Sequence, residues 1–128
     1  MTIKALDHVA LHVADVERSA AFYANVLLLQ PLPRPAFDFP GAWFRLGTCQ
    51  ELHLLGNRQE PVLSDPRGTH FALEVEDLHD WEAHLQARNA TFRPPKPRPD
   101  GNSQIFVLDP DGHWVELVAY TAPSNTAK

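Results

Sequence analysis

Two stretches decide the fold. His8-Val9-Ala10-Leu11-His12-Val13 and His70-Phe71-Ala72-Leu73-Glu74-Val75 share the pattern His-x-Ala-Leu-x-Val at an offset of 62 residues (8 to 70). An aspartate follows each at the same distance, Asp15 and Asp77. Further on, Gln50-Glu51-Leu52 matches Val115-Glu116-Leu117 at an offset of 65 (51 to 116). Three matches in the same order, with nearly constant offset, indicate a duplicated unit of about half the chain.

Each half reads alike. In residues 4–13, Val9, Leu11 and Val13 alternate with His8, Ala10 and His12, the pattern of a half-buried strand. Asp15 is suited to cap a helix, and Val16, Ala20, Tyr23 and Leu27 form its apolar stripe. Pro31, Pro33 and Pro35 forbid its continuation. Strands follow over residues 42–46 and 50–55, joined by a turn at Gly47-Thr48. In the second half residues 68–75 form a strand, and Asp77 caps a helix that turns Leu78, Trp81 and Leu85 inward. Asn89 ends that helix in the left-handed conformation. The proline-rich residues 93–99 suit an edge segment or loop. Residues 103–108 and 113–120 make a hairpin around Asp109-Pro110-Asp111-Gly112. Residues 56–67 link the halves, and the tail after Thr121 is expected to fray.

The expected fold is therefore α+β, with paired βαβββ modules forming an open, curved, eight-stranded, barrel-like sheet. Module one covers about 1–58 and module two about 68–121, within a single domain of 1–128.

Composition bounds the function. The chain has 128 residues, 44% of them hydrophobic and 21% charged, enough for one domain with a buried core. No apolar run approaches the roughly 20 residues of a membrane-spanning helix. The first residues, MTIKALDHVA, lack the apolar stretch of a signal peptide, and the single cysteine, Cys49, suits a reducing compartment. A cytoplasmic location is expected. Lys+Arg 11 against Asp+Glu 16 gives a net charge of -5 with no basic cluster, which argues against nucleic acid and anionic membrane as partners. A small-molecule substrate remains.

Strand parity then collects the polar residues. If Val9 and Leu11 pack beneath the helix, His8 faces the other way, and His70 does so in the second half. Glu51 lies opposite Leu52, and Glu116 opposite Val115 and Leu117. The four occupy two pairs of repeat-related positions on the concave face. Two neutral imidazoles and two carboxylates suit a divalent cation: Zn, Ni, Mn, Co or Fe(II). A lone strand histidine or glutamate is ordinarily just a solvated side chain, so the argument rests on the set. His53 shares a face with Glu51 and is the alternative to it as ligand. The ungapped match of Glu51 to Glu116 favours Glu51. His12, His79, His84 and His113 have no repeat partner of their type and are assigned to the surface. Cys49 lacks an activating neighbour and is read as inert.

The residues Asp7 to Asp15, Ser19-Ala20-Ala21-Phe22-Tyr23 and Asp109 to Leu117 resemble the vicinal oxygen chelate superfamily, the glyoxalase, bleomycin-resistance and extradiol-dioxygenase group. The resemblance spans almost the whole chain. It implies a metal held by the first and last strands of each module, at His8, Glu51, His70 and Glu116. A three-ligand version would use His8, His70 and Glu116. Two departures stand out. Leu28 follows Leu27 where relatives commonly have glycine, and Glu51 precedes Leu-His-Leu-Leu-Gly instead of the Asn-Trp-Gly element of glutathione-using glyoxalases.

The expected function is metal-dependent chemistry of the glyoxalase type. A small substrate chelates through vicinal oxygens for isomerisation, lyase or transferase reactions, without redox. Glu116 or Glu51 serves as general base. Tyr120, on the face of Glu116, is a candidate proton donor or orienting group, and Arg45 a candidate for an anionic substrate. The alternatives are a non-catalytic, bleomycin-resistance-like binding protein, with Trp43, Phe44 and Trp114 lining its groove, or an Fe(II) extradiol-type dioxygenase. The open edges of a two-module sheet, and the resemblance, lead us to expect a homodimer.

Overall fold

The computed structural model describes residues 1–121; the expected fraying after Thr121 lies outside the described residues. The chain divides into two compact units, one spanning Met1–Pro61 and the other beginning at Val62.

The first unit runs β1 (His8–His12), α1 (Val16–Asn25), β2 (Pro31–Leu32), β3 (Gly41–Leu46) and β4 (Gln50–Leu55). Its sheet has the order β1-β4-β3-β2. β1 lies parallel to β4, with His8 opposite Glu51 and Ala10 opposite His53. The parallel pairing requires a crossover, which α1 provides. Leu11, Val13, Tyr23, Leu27, Phe44, Leu52 and Leu54 are buried and form the core of this unit. The helix begins where the sequence predicts: Asp15 is extended and its carboxylate accepts the Arg18 N–H at 3.2 Å.

The helix ends at Asn25, and the next residues close it without glycine. Leu27 N–H reaches the Phe22 carbonyl at 3.2 Å and Leu29 N–H the Tyr23 carbonyl at 2.9 Å. Between them the exposed Leu28 takes φ 58°, in the left-handed region that a side chain disfavours.

The second unit repeats the plan with β5 (Phe71–Glu74), α2 (Leu78–Ala87), β6 (Phe92–Pro97), β7 (Ser103–Leu108) and β8 (Trp114–Ala119). Its sheet order is β5-β8-β7-β6. Asp77 caps α2 by accepting from His79 and Asp80, and Asn89 follows it at φ 54°, as expected. Leu78, Leu85, Ile105, Val107, Val115 and Leu117 are buried.

The α+β class and the doubled βαβββ order are as expected. The eight strands are two four-stranded sheets, neither closed on itself. The bounds differ in places. The strands expected over residues 4–13 and 68–75 are shorter, at His8–His12 and Phe71–Glu74. A two-residue strand at Pro31–Leu32 lies on the sheet edge, where a missing proline N–H is tolerated. The proline-rich stretch is an edge strand, irregular between Arg93 and Lys96, where Pro94 and Pro95 cannot donate to the ladder.

Candidate metal centre

In the second unit His70 lies one residue before β5, on the face of Ala72, and Ala72 is opposite Glu116. The His70 ring thus reaches across the strand pair, and its Nε2 lies 3.1 Å from Glu116 Oε1. Its Nδ1 faces the carbonyl oxygens of Gly68 and Asp65 at 3.2 and 3.3 Å. The ring is thus held at both nitrogens, with Nε2 directed at the carboxylate. Glu116 is 9% exposed at its side chain and His70 22%.

A ring nitrogen and a carboxylate oxygen at that separation match the spacing of two donors on one cation. Metal–nitrogen and metal–oxygen bonds of about 2.1 Å at a right angle place their donors about 3 Å apart. The residues present therefore fit a divalent metal.

In the first unit His8 Nδ1–H donates to Asp7 Oδ2 at 2.8 Å, which frees Nε2. A carboxylate behind a histidine is the arrangement that fixes the ring of a metal ligand. His8 lies opposite Glu51 on the ladder, and Glu51 Oε1 accepts from His53 Nε2 at 2.9 Å. The His53 ring is sandwiched by Trp43, 4.0 Å away and 5° from parallel, and His8, 4.2 Å away and 19° from parallel.

The ladders reveal a mismatch in the repeat. Ala10 pairs with His53 in one unit, whereas its repeat mate Ala72 pairs with Glu116 in the other. By register, the counterpart of Glu116 is His53, although Glu51 is its counterpart by residue type.

Tyr120 follows β8 on the face of Glu116, and Arg98 lies over its ring at 5.6 Å. Sequence reasoning missed Arg98, which sits in the proline-rich passage without periodic pattern. Its guanidinium hydrogen-bonds Asp100 and approaches Glu116 Oε2 at 3.5 Å. The hydrogen bond to Asp100, with a further one to Tyr120, raises the Arg98 pKa above its ordinary value, against the opposing effect of burial. The same bond to Arg98 holds the Asp100 carboxyl below the usual carboxylate range. Arg98, Pro99, Asp100, Gln104 and Glu116 line a cleft of about 500 Å³. Asp7 was also missed as a partner of His8, although its adjacency was visible.

Arg45 lies opposite Glu51 and points Nη1 to the Thr48 carbonyl at 3.5 Å. Phe44 is buried in the core, which corrects its assignment to a groove, whereas Trp43 and Trp114 are half-buried. His113 is not a surface residue: it is half-buried and bonds Asp109 Oδ2 through Nδ1 at 2.8 Å. Asp109, Asp111 and His113 form a cluster of donors within 4.8 Å of one another among the described residues. Asp109 Oδ1 already accepts the N–H groups of Asp111, Gly112 and His113 at 2.8–2.9 Å. This cluster closes the β7–β8 turn.

The profile of the Glyoxalase/Bleomycin resistance protein/Dioxygenase superfamily matches residues 5–117. A probable lactoylglutathione lyase from Synechocystis is 30% identical, covering 87% of this chain and 92% of the relative. The metallothiol transferase FosB of Lysinibacillus sphaericus is 29% identical, covering 91% and 83%. The crystal structure of a putative glyoxalase family protein from Bacillus anthracis superposes with a TM-score of 0.81 at 24% identity, covering 94% of this chain and 98% of the other.

Proposed function

The chain belongs to the Glyoxalase/Bleomycin resistance protein/Dioxygenase superfamily, and from that membership we propose that it is a metal-dependent enzyme acting on a small oxygenated substrate. The reaction is non-redox: isomerisation, lyase or transferase chemistry on a molecule that chelates through vicinal oxygens. The observation that carries this reading is the His70–Glu116 pair, whose Nε2 and Oε1 stand 3.1 Å apart.

His70 and Glu116 would hold the metal together with His8 and one donor from the Glu51–His53 pair. Four donors leave two of six octahedral positions for substrate. The bound cation would supply Lewis acidity that stabilises negative charge developing on the chelated oxygens.

The remaining steps fall to the protein. Glu116 is a buried carboxylate placed to take up and return a proton. Arg98, at 3.5 Å from its second oxygen, receives that oxygen when the carboxylate turns to its task. Tyr120 shares the face and orients substrate by hydrogen bonding. The lyase and transferase names of the relatives support such chemistry.

We infer a homodimer, supported by two open edges on each sheet, β1 and β2 in one and β5 and β6 in the other. We also infer a cytoplasmic setting, supported by a single free cysteine. Among the described residues no helix is long and apolar enough to cross a membrane.

A second reading has one observation in its favour. Phe37 is 47% exposed and continues the aromatic row through Trp43, 6.2 Å away, to His53. Such a row suits a protein that sequesters a planar molecule without turnover. The test is elemental analysis of protein purified without chelator or affinity tag. A stoichiometric divalent metal, lost in His70→Ala, supports the enzyme; a metal-free protein that binds planar ligands supports the second reading.

A further inference from the structure

We infer that Ser64 is a positioning residue for His70, holding it off the end of the sheet ladder so that its ring meets Glu116. This rests on the metal-centre reading above and lies wholly within the second unit. The observation that carries it is a ladder bond with a hydroxyl in its path. The parallel pairing of β5 and β8 runs from Phe71 opposite Val115 to Glu74 opposite Val118. One step further back, the same register would set His70 opposite Trp114 and direct the Trp114 N–H to the Thr69 carbonyl. The Trp114 N–H goes instead to Ser64 Oγ at 2.9 Å, and that hydroxyl donates to the Thr69 carbonyl at 2.8 Å.

The first unit shows the uninterrupted version. There His8 is paired with Glu51, and the Glu51 N–H reaches the Asp7 carbonyl directly at 3.1 Å. β1 therefore includes its histidine, whereas β5 begins one residue after its own. A serine hydroxyl, with one donor and free lone pairs, is the group that splices between an N–H and a carbonyl. The residues after Ser64 hold the ring from its other end: the carbonyl oxygens of Asp65 and Gly68 lie 3.3 and 3.2 Å from His70 Nδ1. That turn is fixed by the Gly68 N–H on the Asp65 carbonyl at 3.0 Å and the Arg67 N–H on Asp65 Oδ1 at 2.8 Å. The Asp65 N–H shares the Thr69 carbonyl with Ser64, at 3.1 Å. Ser64 thus ties the backbone just before His70 to the backbone two residues before Glu116. It sets the separation of the two proposed ligands without touching the metal.

NMR of the His70 ring in the metal-free full chain, followed by zinc titration, tests this. Ser64→Ala removes the bridge and lets β5 close on Trp114 as β1 closes on Glu51. The His70 ring signals should move before any metal is added, and zinc affinity should then fall about 10–100-fold, as for other groups that orient a ligand. Ser64→Thr keeps the hydroxyl and should restore both readouts to wild type. Should Ser64→Ala not fold, Ser64→Cys, of similar size but only a weak donor and acceptor, is read in the same way. A folded variant with lower thermal stability but unchanged ring signals and zinc affinity would overturn the assignment and leave Ser64 a turn residue. Moved ring signals in Ser64→Ala, with undiminished zinc binding in His70→Ala, would overturn the metal centre while leaving the hold of Ser64 on the ring in place.

Discussion

His70 Nε2 and Glu116 Oε1 lie 3.1 Å apart although 46 residues separate them in the chain. The contact exists because β5 runs parallel to β8, in a register that puts Ala72 opposite Glu116 and His70 one step away on the same face. Glu116→Gln preserves the shape of this pair and removes its charge. Zinc affinity should fall by more than the about 10–100-fold typical of an outer partner. Calorimetric titration against a competing chelator measures it, and a change of less than tenfold would remove Glu116 from the ligand set.

Leu28 holds φ 58° with its side chain exposed, so it bears the steric cost of the left-handed region with little packing in return. Leu28→Gly should stabilise the fold by up to about 1 kcal/mol, a steric cost of about 1–2 kcal/mol partly offset by about 0.5–1 kcal/mol from glycine's greater freedom when unfolded. Urea denaturation gives the value. A loss of stability would mean that Leu28 packs against something in solution.

Asp109 closes the β7–β8 turn through three backbone N–H groups and His113. Asp109→Ala leaves those donors without their acceptor in a half-buried turn and should cost about 2–3 kcal/mol. Asp109→Asn retains one acceptor oxygen and should cost less. If the alanine variant lost zinc while keeping its thermal stability, the cluster would be a metal site and not a turn.

The Asp100 carboxyl is held low, chiefly by its hydrogen bond from Arg98. Because the folded value lies below the unfolded one, this contact contributes stability above the unfolded pKa, and the contribution disappears as pH falls through the folded value. Carbon NMR titration should find Asp100 below the ordinary carboxylate range in the wild type and higher in Arg98→Met. Equal values in the two proteins would show that Arg98 does not engage Asp100.

Much of the fold was legible because the repeat doubled each local signal. The alternation of Val9, Leu11 and Val13, the caps at Asp15 and Asp77 and the left-handed Asn89 are short-range features with a direct chemical cause. Where a backbone rule had to bend, the text was misleading. Pro31 read as a break and residues 93–99 as an edge segment or loop, and both stretches hold edge strands. The His70–Glu116 contact was legible by residue type and face. The pairing of repeat mates was not, because the similarity of Gln50-Glu51-Leu52 to Val115-Glu116-Leu117 outweighs a ladder register that no residue announces. Arg98 was invisible for a similar reason: its value lies in contacts with Asp100, Tyr120 and Glu116 that only folding creates.

The proposed function turns on a divalent metal at the His70–Glu116 pair. The most direct measurement is the divalent metal content of chelator-free, untagged protein, wild type beside His8→Ala and His70→Ala, with circular dichroism to show that each variant is folded. One metal per site is expected in the wild type, with a loss of at least tenfold in affinity in both variants. Wild-type stoichiometry retained in both folded variants would contradict it.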